Sequence, residues 1–307
     1  MAQKYHINPE TGTVNICKAK KQECKFGLSQ TEHYETKEQA QQQYEKKQQQ
    51  KFSEYEKFNK NNNTLYKKHF PTKIKPPTQQ ETDQKTTELF NEHKTILKHL
   101  NKEQKHALSY YSFSGSKEIH SNFRKTPLKN INEEDKKLID KISQNLSQTI
   151  EEQSPKDKER TLYHYVKNYS DKPIDKFIKE ELLEKQEFSD ESVLSTSEDP
   201  SFISAYISKQ KNHNQYIVFE IVSKDGISLQ SKERERAGNL QSFEKERLLP
   251  TNKKFKIVHV REEKIKIDSS RQELYQNFNP TYNINSIPRK INPKNTTIIS
   301  MIDNDLL

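Results

Sequence analysis

Two glutamates one residue apart, Glu244 and Glu246, lead the stretch LQSFEKERLLPTNKKFKIVHV at residues 240–260. Side chains two apart on a strand share a face, so a strand there would set two carboxylates side by side. Each raises the pKa of the other, which suits acid–base or charge-stabilising chemistry. The same spacing also fits a solvated strand end in a chain that is 32% charged. Upstream, in SVLSTSEDPSFISAYI (192–207), Ser195, Thr196 and Ser197 close an apolar run ahead of Glu198-Asp199-Pro200. Such hydroxyls serve as a helix N-cap, or aim across a sheet at a carboxylate on a neighbouring strand. A third set, His6, Cys17, Cys24 and His33, has the residue types that suit zinc. Its spacing lacks a paired C-x2-C, and both histidines also fit ordinary surface positions.

The elements that would position these groups are unevenly distributed. Apolar residues make up 29% of the 307, with 5 glycines and no tryptophan. A chain this polar is expected to leave some segment solvated. The net charge of +9 favours acidic partners, but acids are interspersed throughout and the charge forms no single block. Two cysteines make no disulfide framework, and no apolar run reads as a signal peptide or membrane span. The expectation is a cytoplasmic protein with no membrane partner.

Residues 1–35 read as a small Cys/His-containing module, and its KYHINPETG start resembles a short N-terminal module of otherwise different bacterial and phage proteins. Residues 36–68 predict a polar helix with a thin apolar stripe and an Asn-rich break. FPTKIKPPTQQETDQKT (70–86) predicts a Pro-containing linker, which puts a domain over 87–307. That domain opens with short helices, the first capped by Asn101, and a longer one over 133–152 with acids in its first turn. The period then falls from 3.6 to 2. Strands are expected at 161–166, 192–196, 215–222, 254–260 and 296–302, with helical segments over 172–186 and 199–210 between the first three. Helices first and strands later predict an α+β domain. No Gly-rich phosphate loop occurs.

Taken in order, these motifs resemble the mono-ADP-ribosyltransferases of bacterial toxins and phage-encoded modifying enzymes. That family carries an Arg on its first core strand, Ser-Thr-Ser on a second and (Gln/Glu)-x-Glu on a third. Ser195-Thr196-Ser197 and Glu244-Lys245-Glu246 match the last two. FEKERLLPTNKKFKIVHV resembles the family's E-x-E, Leu-Leu-Pro, polar turn and aromatic-led strand. EQKHALSYYSFSGSKEIHSNFRK resembles its helical opening, and the likeness runs over roughly residues 90–265. The first motif departs: where Tyr-Arg-Gly is usual, the chain has Tyr163-His164-Tyr165. The diphtheria-toxin and poly(ADP-ribose) polymerase branch has a histidine at this strand position. Histidine lacks the permanent planar charge of arginine, and Arg124 or Arg160 are alternatives for a phosphate contact.

The resemblance implies a helical N-terminal part followed by a mixed β-sandwich, with NAD as substrate and no metal needed for catalysis. It implies that Glu246 stabilises the positive charge that develops on the NAD ribose as nicotinamide leaves. Ser195 would hold Glu246 in place, while His164, Tyr163, Thr196 and Ser197 would bind NAD. Glu244 would orient the acceptor, with Phe243 in the acceptor-recognition loop; Glu at this position goes with arginine acceptors. A protein of a bacterial host is the expected acceptor and nucleic acid the other option. The alternative is a non-catalytic protein of transferase fold, acting as a basic nucleic-acid or virion-associated binding module. His164 in place of arginine is its main support.

Overall fold

The structure, a computed structural model, describes residues 4–8, 13–18, 24, 28, 30–70, 78–128, 131–166, 174–200, 215–230, 245–265 and 294–307. Three helices begin with a reciprocal capping box readable as T-x-x-Q, T-x-x-E and N-x-x-Q. These are α1 (Lys37–His69, capped by Thr36 with Gln39), α2 (Gln79–His99, Thr78 with Glu81) and α3 (Lys102–Tyr110, Asn101 with Gln104). In each, the cap oxygen accepts the backbone N–H of the fourth residue, whose side chain returns a bond to the cap N–H. α3 passes through a π-turn at Tyr111–Gly115 into α4 (Ser116–Phe123). A Cβ on Gly115 would overlap the Tyr110 ring, so glycine is what allows that turn. α5 (Glu133–Gln153) starts at Asn132, with Glu133, Glu134 and Asp135 against its positive end.

Strands β1 (Tyr5–Ile7), β2 (Val14–Ile16) and β3 (His33–Tyr34) form a small antiparallel sheet in the order β2-β1-β3. Among the described residues the large sheet has eight strands. They are β4 (Arg160–Val166), β5 (Glu187–Ser189), β6 (Leu194–Ser197), β7 (Gln215–Ser223), β8 (Ile227–Ser228), β9 (Glu246–Leu249), β10 (Lys254–Ile265) and β11 (Lys294–Asp303). Their order is β5-β10-β11-β7-β4-β6-β9-β8, mixed because β7 and β11 run parallel. One paired position, Tyr163 with Ser197, joins the five strands ending at β4 to the three beginning at β6. Leu194 and Leu249 from the three-strand side share a core with Phe219, Ile257 and Ile299 from the other. A second core lies under α2–α5, where Leu100, Leu108, Leu146 and Ile150 meet Leu248 and Ile227. The α+β expectation therefore holds, with its strands close to where the period-2 pattern places them.

Three expectations are corrected. The Asn-rich stretch breaks nothing: α1 runs to His69, and Asn62 is buried with its amide donating to Phe58 O at 3.1 Å. The linker is shorter than 70–86, because α2 begins at Gln79; residues 71–77 lie outside those described. Nor does α1 stand apart from the sheet. Tyr55 belongs to the main core, with Phe58 packed against it. Asn59 exchanges two 2.8 Å hydrogen bonds with the Val260 backbone of β10, and Tyr66 stacks on His259 with centroids 4.0 Å apart. A thin apolar stripe suffices because a polar side chain completes the edge hydrogen bonds. The expected helix over 172–186 forms in part, as α6 (Ile174–Phe177) followed by a π-turn at Ile178–Leu183. That over 199–210 falls largely outside the described residues.

Candidate active site

Pairing of β6 with β9 sets Ser197 opposite Glu246 and Ser195 opposite Leu248. From this register the Ser195 hydroxyl donates to Glu246 Oε1 at 2.6 Å. Glu246 is 5% exposed, so the hydroxyl holds a carboxylate that is largely withdrawn from water. The surrounding segments are clamped by charge. Lys245 Nζ meets Asp199 Oδ2 at 3.1 Å, and Arg247 Nε donates to Glu198 Oε1 at 2.8 Å. Thr196 Oγ1 donates to the Arg247 carbonyl at 2.8 Å. Thus 195–199 grips 245–247 through three side-chain pairs, the Thr196 bond to a carbonyl and, beyond the strand pairing, a backbone bond from Glu198 N–H to the Lys245 carbonyl at 3.2 Å.

Lys245 adopts φ +45°, a left-handed conformation unusual for lysine and costing about 1–2 kcal/mol. Its buried ion pair with Asp199 helps to hold that conformation. Strand geometry therefore starts at Glu246, because Lys245 is not extended. Glu244 and Phe243 both lie outside the described residues.

On β4 the neighbours Tyr163 and His164 face opposite ways. Tyr163 packs with Tyr216, Val218 and Ile298, and burial pushes its hydroxyl pKa far up. His164 Nδ1 donates to Ser195 O at 2.6 Å, beside Phe219. Burial lowers its pKa below the usual value, against the opposing effect of that backbone bond. A lowered pKa favours the neutral ring at pH 7, and the bond to a carbonyl places its proton on Nδ1. Such a group suits a sugar hydroxyl and cannot replace the charge of an arginine. Thr196 and Ser197 are buried, Ser197 Oγ accepting Asp199 N at 2.9 Å.

The nearby charge comes from the end of α4. Arg124 forks onto Asp190, Nε to Oδ1 at 3.1 Å and Nη2 to Oδ2 at 2.6 Å, with about a third of its side chain exposed. Arg124 and Asp190 are near enough to influence His164 electrostatically. Together they wall a cleft of about 520 Å³ that Phe177, Phe188 and Lys185 also line. Arg160 is differently placed: it is buried, its Nη2 on Asp157 at 2.9 Å and its Nη1 on the Lys158 carbonyl at 3.0 Å.

His120 bridges this corner, with Nδ1 2.6 Å from Ser192 Oγ and Nε2 3.2 Å from the Tyr111 hydroxyl. Burial, then the Arg124 charge, push its pKa down to about 4, while Asp190 opposes and His164 adds to the shift. A histidine held neutral in the fold supports stability fully above its unfolded pKa of about 6.5 and loses that support as pH falls toward 4. Acidification over this window is expected to cost on the order of 2 kcal/mol through His120. Urea midpoints measured from pH 7 down to pH 4.5 should fall less steeply in His120→Gln than in the unaltered chain. Parallel pH profiles would show that His120 is not the group responsible.

The sequence motifs leave out the polar network behind the site. Arg247 is fully buried and reaches Glu92 of α2 through two bonds, Nη1 to Oε1 at 2.8 Å and Nη2 to Oε2 at 2.7 Å. Glu198 also meets Lys85 of α2 at 2.5 Å. Burial raises the Glu198 pKa, but Arg247 and Lys85 together bring it below the ordinary value. The one available signal was an arginine inside the short apolar run ERLL, where an unpaired guanidinium would be costly.

No protein-family model matches the chain, and no curated protein matches it. Solved structures do. The chain is similar to the enzymatic component of the C2 toxin of Clostridium botulinum, at 17% identity and a TM-score of 0.48, over 71% of this chain and 46% of that one. It is similar to an ADP-ribosyltransferase toxin from Paenibacillus larvae, at 11% identity and a TM-score of 0.45, over 72% of this chain and 96% of that one. An ADP-ribosylating toxin of a binary enterotoxin of C. perfringens, solved with NADH, is similar at 15% identity and a TM-score of 0.46, over 72% of this chain and 48% of that one. The chain thus spans about half the length of the first of these. Among the described residues, no helix is long and apolar enough to cross a membrane.

Proposed function

We propose that this chain is an NAD-dependent mono-ADP-ribosyltransferase that modifies arginine on a protein of a bacterial host. The observation that carries the reading is the Ser195–Glu246 hydrogen bond, a buried carboxylate held by a hydroxyl from the neighbouring strand. NAD supplies a ribose that becomes cationic as nicotinamide departs. Glu246 is the fixed negative charge for that centre, and Ser195 keeps it oriented. His164 Nε2 accepts from a ribose hydroxyl, with Thr196, Ser197 and Tyr163 framing the same strands.

The phosphates of a dinucleotide call for cations beside the site. Arg124 is a partly exposed guanidinium beside a cleft of suitable volume, and Lys185 adds a second cation. Glu181, Glu187, Asp190 and Glu191 share that cleft, with Lys185 paired to Glu181 at 2.5 Å and Arg124 to Asp190 at 2.6 Å, so phosphate binding there requires these two cations to exchange carboxylates for phosphate. Glu244 and Phe243 take the acceptor side of the reaction. A guanidinium is a poor nucleophile at neutral pH, and a neighbouring carboxylate both aligns it and draws off its proton.

The test supplies NAD with agmatine or host lysate and follows nicotinamide release alongside label transfer. Both are expected from the unaltered chain. Glu244→Gln should lose transfer while hydrolysis of NAD by water survives, since water needs no such alignment. Equal loss of both would place Glu244 in support of the NAD site instead. An unaltered, folded chain that releases no nicotinamide would overturn the enzyme reading and favour the binding-protein alternative.

A further inference from the structure

The small sheet brings four ligand-type side chains together from distant positions in the sequence. Register pairs His6 on β1 with His33 on β3, and their rings meet edge-on with centroids 5.7 Å apart. Cys17 follows β2 directly and prolongs the β1–β2 ladder by donating its N–H to Lys4 O at 2.8 Å. Cys24 comes in from the connection between β2 and β3. The four atoms His6 Nδ1 or Nε2, Cys17 Sγ, Cys24 Sγ and a His33 ring nitrogen all lie within 4.8 Å of one another. His6 Nδ1 is 3.8 Å from Cys24 Sγ, and His33 Nε2 is 3.2 Å from Cys17 Sγ.

We propose that His6, Cys17, Cys24 and His33 bind a structural zinc ion that organises the N-terminal module. Zinc bonds of about 2.3 Å to sulfur and about 2.0–2.1 Å to nitrogen, at tetrahedral angles, put nitrogen and sulfur about 3.6 Å apart. The two nitrogen–sulfur distances bracket that value, so the ion fits with side-chain shifts of a few tenths of an ångström. Two thiolates also neutralise the divalent charge, with two imidazoles completing the shell and two protons released on binding.

Packing gives the reason for a metal. Among the described residues of 4–34, the buried side chains are His6 and Cys24, themselves two of the four ligands. The strands of this sheet are three, three and two residues long. A sheet so short, with no buried apolar side chain of its own beyond the ligand set, needs a covalent or metal tie to hold its register. A Cys17–Cys24 disulfide would provide a tie but would leave both imidazoles turned inward with no role in it.

The full chain, purified without chelator, is expected to retain about one zinc ion per molecule through gel filtration. Replacement with cobalt should give the visible bands of a tetrahedral site together with thiolate-to-metal charge transfer. Cys17→Ser and Cys24→Ser should each abolish retention; because either change could unfold the module, the cobalt spectrum of the unaltered chain is the deciding measurement. A chain free of metal with both thiols open to a thiol reagent would overturn the proposal. So would a mass lower by two hydrogens, which marks a disulfide, or zinc retained undiminished after both cysteines are replaced.

Discussion

Replacing Glu246 with glutamine is expected to slow both ADP-ribose transfer and NAD hydrolysis by about a hundredfold or more, ~3 kcal/mol of barrier. The two activities should fall together, because both need negative charge beside the ribose as nicotinamide leaves. Glutamine keeps an oxygen that accepts the Ser195 hydroxyl, and it fills the same space. Stability should therefore change little, and urea unfolding would establish that the loss is chemical. Ser195→Ala should cost less, on the order of tenfold, since it frees the carboxylate to turn without removing its charge. Undiminished NAD turnover by a folded Glu246→Gln chain would remove Glu246 from the mechanism.

Arg247→Met is expected to destabilise the fold by about 3–5 kcal/mol, a large share of the stability of a typical domain. The cost arises from what the guanidinium leaves behind. Glu92 and Glu198 would keep buried or half-buried carboxylates without their closest cation: Lys85 would still face Glu198, while Glu92 would be left with the Ser228 N–H and with Arg160 at 4.0 Å. Arg247 Nη1 also donates to the Gly226 carbonyl, so the turn at Gly226 with φ +105° would lose its tether. Chemical denaturation would measure the loss. Combining Arg247→Met with Glu92→Gln should recover part of it, because one stranded charge is then removed. A single variant as stable as the unaltered chain would mean that water reaches these carboxylates and that the network contributes little.

These expectations draw on two levels of information. Much of the secondary structure was legible in the chain. The Asn101 cap and the acidic first turn at 133–135 announce α3 and α5, and period-2 apolar runs announce β4, β7, β10 and β11, because local hydrogen bonding and alternation act within a few residues; the start of α2 falls inside the stretch that reads as linker. Ser195 and Glu246 were legible as a pair of chemical types in a familiar order. Their contact was implied only by the family resemblance, since physically it depends on the register of β6 against β9. The backbone of Lys245 was equally hidden: its buried partner Asp199, 46 positions away, helps to hold a left-handed lysine. The thin stripe of α1 and the linker reading set this helix apart from the domain over 87–307, yet Tyr55 enters the main core and Asn59 bonds to Val260 of β10, 201 positions further along the chain. Residue types and local periodicity determined the elements and the chemistry on offer. Which carboxylate is held, which histidine is neutral and which arginine is buried were decided by tertiary structure, because burial and charge pairing are properties of neighbours in space.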